Sequence, residues 1–302
     1  MLYLILAVGC SVLLGFIFKL YPRFGVDGFQ AIVFNYFTCV LCGWIDLGYF
    51  PISTANIAKP WFPYALVLGF VFISGFNCAA LTVRYFGVTV SQIMQRMSIL
   101  MTVPFAILCY GESAGWVKIG GIALALASIV LVNFPSKNGL LSAGAPTRNE
   151  QQDTAGRKTG LFFWIPVLTW MLAGVLEVLL VRVQKEGLAD TNDPAFICNV
   201  FGTAGAVGFL LAVAGWIQKR LVFSWRNVLA GVVLGIPNYG SMLFLLMALG
   251  SGLEGSFVFP VTNVGIIFIT TIGAVWLFQE RLSRLNWLGI ALAVAAIGLI
   301  SF

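Results

Sequence analysis

An arginine set among apolar residues is the first feature of this sequence that could do chemistry. Arg96 stands in Ser91-Gln92-Ile93-Met94-Gln95-Arg96-Met97-Ser98, and no other Asp, Glu, Lys or Arg occurs from 85 to 111. At helical spacing Gln92, Gln95 and Arg96 share one face, with Thr102 one to two turns on. The planar guanidinium would offer a carboxylate or another anion a forked donor. The structural alternative is an ion pair or a clamp on backbone carbonyls between helices. The second candidate, Glu177, follows the charge-free stretch 159–176 in Trp170-Met-Leu-Ala-Gly-Val-Leu-Glu177-Val178. A carboxyl shielded from water there could exchange a proton near neutral pH or hold a cation; the alternative is a salt bridge to Arg96 or Lys19.

These two residues sit in a chain that needs lipid around it. Of 302 residues, 60% are hydrophobic and 9% charged, and the mean hydropathy is +0.98, whereas a soluble domain carries about 25% charged residues. Charge-free runs of at least eighteen residues cover 1–18, 28–45, 60–83, 119–136, 159–176, 194–218, 227–253, 255–279 and 285–302, and 85–111 is interrupted by Arg96 alone. Each is near the length of about 20 residues that crosses hydrocarbon as a helix. Unbroken apolar runs exclude the alternating strands of a membrane barrel. The expected fold is therefore all-α and integral to a membrane, with ten transmembrane helices. The apolar start MLYLILAVGC has no basic leader and reads as a retained first helix. In lipid a charged side chain costs roughly 2.5–3.5 kcal/mol on insertion scales, so Arg96 and Glu177 must each find a cavity or a partner.

The chain also repeats itself. Displaced by 168 residues, 80–133 aligns with 248–301 without a gap, at 16 identities in 54 positions, including Glu112 with Glu280 and Gly121-Ile-Ala-Leu-Ala125 with Gly289-Ile-Ala-Leu-Ala293. Earlier, Ala31, Asn35 and Phe37 recur as Ala195, Asn199 and Phe201. The expected domains are a first five-helix repeat over 1–134, a polar linker over 135–159 and a second five-helix repeat over 160–302. An odd number of helices inverts the second copy, and such folds bind their solute near the midplane.

In the alignment Asn263 takes the place of Gln95 and shares a face with Pro260 and Thr262. The run Gly235-Ile-Pro237-Asn238-Tyr239-Gly240 has the proline and glycines of a discontinuous transporter helix, and Pro104, Pro166 and Pro260 could hinge similarly. The expected substrate site is thus Arg96, Gln92, Gln95, Asn263, Pro260, Asn238 and Tyr239 around a wet cavity, with Glu177 in proton coupling or cation binding. Asn35, Asn77 and Asn199 read as ties between helices. Glu112 and Glu280 read as carboxylates capping the next helix, and Ala123/Ala127 with Ala291/Ala295 as small-residue pairs packing the fifth helix on the tenth.

Tyr110-Gly-Glu112 before Gly120-Gly-Ile-Ala-Leu-Ala, and Phe278-Gln-Glu280-Arg-Leu before Gly289-Ile-Ala-Leu-Ala, resemble the paired domain of the drug/metabolite transporter superfamily, the EamA-like ten-helix carriers. The first half departs from it with Glu112-Ser113-Ala114. The surroundings of Glu177, with Lys185 beyond, are similar to the first helix of small multidrug resistance transporters, where a glutamate exchanges protons and cationic drugs. The resemblance implies a secondary transporter in a plasma (inner) membrane, monomeric or homodimeric, with lipid and a small solute as its partners.

Arg96 tilts the expected solute towards a small metabolite such as an amino acid or related carboxylated compound; proton-coupled export of cationic drugs or amines is the alternative. An enzyme is not expected, since there is no His and no clustered nucleophile and base, and a non-transporting scaffold would leave the paired polar faces unused. No metal or cofactor is expected, because Cys39-x-x-Cys42 lies within a span and no His can complete a zinc site. The net charge of +6 comes from short loops, a membrane-protein pattern and not a nucleic-acid footprint. No phosphate-binding Gly-x4-Gly-Lys-Ser/Thr loop occurs. Twelve basic residues fall in one set of loops and four (Lys59, Lys118, Arg182, Lys185) in the other, which puts both termini outside, against the cytoplasmic termini that the resemblance implies.

Overall fold

Lipid gives backbone N–H and C=O groups no partner, so apolar segments of this length close their hydrogen bonds within themselves. The computed structural model describes residues 1–86, 88–132, 164–189, 194–278 and 283–300, and every regular element among them is helical. Besides two short 3-10 helices, Tyr21–Phe24 and Thr54–Ala58, the α-helices in chain order are α1 (Leu2–Leu20), α2 (Gly28–Leu47), α3 (Phe62–Phe86), α4 (Val88–Arg96), α5 (Ile99–Tyr110), α6 (Trp116–Val132), α7 (Trp164–Lys185), α8 (Ala195–Ile217), α9 (Trp225–Gly250), α10 (Gly255–Phe278) and α11 (Arg284–Ile300). Among the described residues eight helical stretches are long and apolar enough to cross a membrane, α4 with α5 counting as one, and α6 and α11 are apolar helices of 17 residues. The protein is a multi-pass helical membrane protein. The linker 135–159 and Glu280 lie outside the described residues.

The chain forms two compact units, one of Met1–Ser74 with Leu179–Gly252 and the other of Gly75–Val178 with Leu253–Phe302. Each therefore draws helices from both halves of the sequence. In the first unit α2 crosses α9 at Gly231 and Gly235, one turn apart. A Cβ on Gly231 would lie 2.5 Å from the Phe34 Cβ and 2.6 Å from the Ala31 carbonyl oxygen, and one on Gly235 would overlap Thr38. That spacing is the small-xxx-small device of membrane helices. It explains why the expected break at Pro237 does not form: α9 is continuous through it, and its glycines bring the helix onto α2 instead of interrupting it. Asp27 caps α2, accepting from Gln30 N at 2.8 Å, and its own N–H donates to Asn227 Oδ1 of α9 at 3.0 Å.

In the second unit α6 packs against α11. The buried faces are Gly121, Ala125, Ser128 and Ile129 against Gly289, Ala293, Ala296 and Ile300. The expected pairs Ala123/Ala127 and Ala291/Ala295 are exposed. The two helices do meet, but through the opposite face, because the closest approach is set by glycine: a Cβ at Gly121 would lie 2.8 Å from Ile300, and one at Gly289 2.6 Å from the Val132 backbone nitrogen. Both partners of the second contact stand 168 residues from those of the first. Glu112 is likewise a cap, but not of the following α6. Its two oxygens accept from Gly255 N at 2.8 Å and Ser256 N at 2.7 Å, which makes it the cap of α10, where the carboxylate meets the positive end of that helix.

Candidate functional site

The segment expected to be a single fourth helix is broken in the second unit. α4 ends at Arg96, Met97 and Ser98 turn, and α5 starts at Ile99. Across the turn hydrogen bonds shorten to three-residue steps: Ser98 N to Gln95 O at 3.4 Å, Leu100 N to Met97 O at 3.0 Å and Met101 N to Ser98 O at 2.8 Å. Donors and acceptors on α7 hold it open. The indole Nε1 of Trp170 donates to the Met97 carbonyl at 2.9 Å, and the Ser98 hydroxyl donates to Glu177 Oε1 at 2.8 Å. Trp170 and Glu177 are two helical turns apart, so one face of α7 serves both ends of the turn. Arg96 consequently stands immediately before a tightened turn inside the span Val90–Tyr110.

Around this break three helices converge on Glu177. Its Oε1 also accepts from Asn263 Nδ2 of α10 at 3.3 Å, and its Oε2 accepts from Thr102 Oγ1 of α5 at 2.6 Å. The same threonine oxygen is 3.2 Å from the Ser98 carbonyl. A hydroxyl has one hydrogen, and the shorter contact to a charged acceptor takes it. Arg96 Nη1 donates to Asn263 Oδ1 at 2.7 Å. Neither Arg96 nor Glu177 touches the other directly in a salt bridge. The Asn263 amide stands between them, its oxygen on the cation and its nitrogen on the carboxylate; the reverse orientation would set donor against donor. Asn263, Ser98 and Thr102 are buried, whereas Arg96 and Glu177 are partly exposed. Arg96 Nε is buried without a hydrogen-bond partner, and so is the hydroxyl of Thr262 beside Asn263.

The residues expected at the site divide. Arg96, Asn263 and Glu177 come together, and Pro260 is buried in α10 one turn before Asn263. Gln95 does not join them: its Nε2 turns back to Ser91 on its own helix, at 3.3 Å from the carbonyl and 3.2 Å from the hydroxyl. Gln92 is exposed. Asn238 and Tyr239 belong to the first unit, where they tie α9 to α2: Asn238 Nδ2 donates to Asn35 Oδ1 at 3.1 Å and Tyr239 OH to Asp46 Oδ2 at 2.9 Å.

The sequence did not single out Ser98 or Trp170. Trp170 could have been found from its seven-residue spacing to Glu177. A half-buried ion pair was missed as well: Lys118, at the start of α6, bonds Glu254 ahead of α10, Ser113 Oγ at 2.9 Å and Ser256 Oγ at 2.6 Å. Burial opposes the charge on Glu254. Hydrogen bonds from Lys118 and from the Ser113 side chain and backbone outweigh it and hold the carboxyl down at about 2.

A protein of Haemophilus influenzae, described as an uncharacterized protein, is 30% identical to this chain over 304 residues, covering 97% of this chain and 95% of that protein. The chain belongs to the same family as this Haemophilus protein. No family model matches the sequence. A solved crystal structure matches 99% of this chain and 94% of its own at a TM-score of 0.72 and 14% sequence identity; this likeness shows a shared fold and nothing finer.

Proposed function

We propose that this protein is a secondary transporter of a small solute bearing a carboxylate, with Arg96 as the anion-binding group. One observation carries the reading. A guanidinium at the end of a broken membrane helix has no direct ion pair, and its Nε is buried without a partner. A charge kept in a membrane for packing alone would pair directly with a carboxylate; here Glu177 is reached only through the Asn263 amide. Here the cation is oriented by an amide that takes one of its five N–H donors, which leaves others on its Nη nitrogens for an incoming acceptor.

The wider architecture supports the same reading. The ten-helix arrangement of two inverted repeats, with the EamA-like resemblance it carries, draws support from the 168-residue offset shared by the Gly121 and Gly289 contacts. A helix broken at an ionisable group is also the feature by which carriers present a binding site near the midplane. The plasma (inner) membrane is the location that fits this role. Export of cationic amines through Glu177 is less well supported, since both its oxygens already accept hydrogen bonds from Ser98, Thr102 and Asn263.

A thermal-shift screen of the purified protein against a panel of small carboxylates and amines tests the proposal, since a ligand stabilises the state it binds. Carboxylates should raise the melting temperature of the wild type. Arg96→Lys keeps the charge but loses the fork, and should weaken their binding by about 1–3 kcal/mol with little change in the unliganded melting temperature. A structural Arg96 gives the reverse: lost thermal stability, and normal affinity in what survives. Stabilisation by amines alone would favour the cationic reading.

A further inference from the structure

Glu177 is surrounded by groups able to serve two protonation states. With the carboxylate ionised, Thr102 donates to Oε2 at 2.6 Å. With a proton on Oε2, the direction reverses: Glu177 donates to the Thr102 oxygen, and the threonine hydrogen turns to the Ser98 carbonyl, already 3.2 Å away. A hydroxyl can donate and accept at once, so the exchange strands no buried group and moves no helix. On the other oxygen, Asn263 Nδ2 and Ser98 Oγ donate in either state.

Arg96 and Glu177 are the two ionisable side chains that share the Asn263 amide. The groups bonded to the carboxyl, Ser98 in the turn, Thr102 on α5 and Asn263 on α10, are neutral. The two charges communicate across one buried amide.

We propose that Asn263 couples an anion on Arg96 to a proton on Glu177, so that the site loads with a carboxylate and a proton together. This rests on the reading of Arg96 as the anion-binding group. An arriving carboxylate takes the positive charge of Arg96 for itself. The Glu177 anion then loses its compensating cation in a poorly polarisable interior, where that attraction matters most. Glu177 takes a proton from the aqueous phase, one O–H bond forms, and the loaded site carries no more net charge than the empty one. Linkage is reciprocal: protonating Glu177 releases Arg96 from its competitor and tightens the anion by the same factor. Asn263 acts as a positioning residue, presenting Arg96 on one side and reporting its occupancy on the other.

The experiment uses the full chain in lipid nanodiscs, with lactate, alanine and benzoate as probes spanning hydroxy, amino and aromatic carboxylates. Calorimetry gives the affinity at several pH values, and a pH dye in weak buffer gives the protons taken up on binding. In the wild type the affinity of a bound probe falls as pH rises, by up to tenfold per pH unit, with up to one proton taken up per carboxylate. Glu177→Gln, nearly the same shape as the protonated residue, binds without proton uptake and with a flat pH profile. Asn263→Ala still binds but takes up fewer protons, and Asn263→Asp loses binding because the new carboxylate pairs with Arg96 directly. Where Glu177→Gln does not fold, the wild-type profile and Asn263→Ala decide. A probe that binds the wild type with no proton uptake and a flat profile overturns the coupling and leaves the anion site standing. Uptake unchanged in Glu177→Gln or Asn263→Ala does the same. Failure of all three probes to bind overturns the anion site, and the coupling with it.

Discussion

The packing of α6 on α11 makes a prediction in which one helix supplies its own control. Gly289 faces Val132, where a Cβ would come within 2.6 Å of the backbone nitrogen and 2.8 Å of Cγ2, whereas Gly298, further along α11, has nothing within 4 Å. In Gly289→Ala the obstacle is largely backbone, so α11 must withdraw by about 1 Å to restore ordinary contact. A gap of that size forfeits roughly a quarter to a half of each dispersion contact along the seam. It also lengthens the bonds from Asn286 Nδ2 to the Leu131 and Val132 carbonyls, now 3.1 Å and 2.7 Å. Overpacking of this kind costs about 1–3 kcal/mol. Alanine gains up to about 1 kcal/mol in helix propensity over glycine, but that gain is common to both mutants and cancels in their difference. Gly289→Ala should therefore be less stable than Gly298→Ala by about 1–3 kcal/mol in reversible denaturant unfolding from mixed micelles. Equal stabilities for the two mutants would refute the contact on which this reasoning stands. Gly121→Ala against Gly120→Ala repeats the comparison on α6, where Gly121 meets Ile300 and Gly120 meets nothing.

Other outcomes follow from the polar contacts. Thr102→Val keeps the shape but leaves Glu177 Oε2 without its donor; it should destabilise the protein by about 1.5–3 kcal/mol, and by much less in a Glu177→Gln background, a difference that a double-mutant cycle reads directly. Glu254, held at about 2 against an ordinary value of 4.5, is a group whose folded value is depressed. Its contribution is complete above the unfolded value and is lost as pH falls towards the folded one. Glu254→Gln should thus melt below the wild type at pH 7, and thermal scans of the two should converge as the pH approaches 2. With ten spans, the loop charges predict both termini outside, and the asymmetry is sharper because the poorer set includes Lys118, whose charge is buried against Glu254. A C-terminal reporter that fluoresces only in the cytoplasm should stay dark, and a bright one would reverse the orientation.

The helices were legible because lipid imposes a single rule, that a span be long, apolar and helical, and charge-free runs record it directly. Arg96 and Glu177 were legible for the complementary reason, as the exceptions to that rule. Less visible was anything set by which face of a helix meets which neighbour. Ala123 and Ala127 have the right spacing but sit opposite Gly121, and spacing alone does not choose the face. Pro237 has the residues of a break, yet Gly231 and Gly235 place α9 on α2 and the helix runs on. The actual break, at Met97–Ser98, has neither proline nor glycine; it depends on Trp170 and Glu177 from another helix supplying partners to its backbone and side chain. Glu112 was recognised as a cap, but its helix is 143 residues away in sequence. Such partnerships belong to the folded chain and leave no local trace.

The central claim is that Arg96 receives a carboxylated solute and that the protein carries it across the membrane. Counterflow in proteoliposomes tests it most directly: vesicles loaded with an unlabelled carboxylate chosen by thermal shift are placed in a trace of the same compound carrying a radiolabel. The expected result is transient accumulation of label by the wild type and its loss in Arg96→Gln, with the mutant reconstituted to the same density and melting at a similar temperature. Accumulation in Arg96→Gln equal to that of the wild type, or none in the wild type for any carboxylate that stabilises it, would contradict the account.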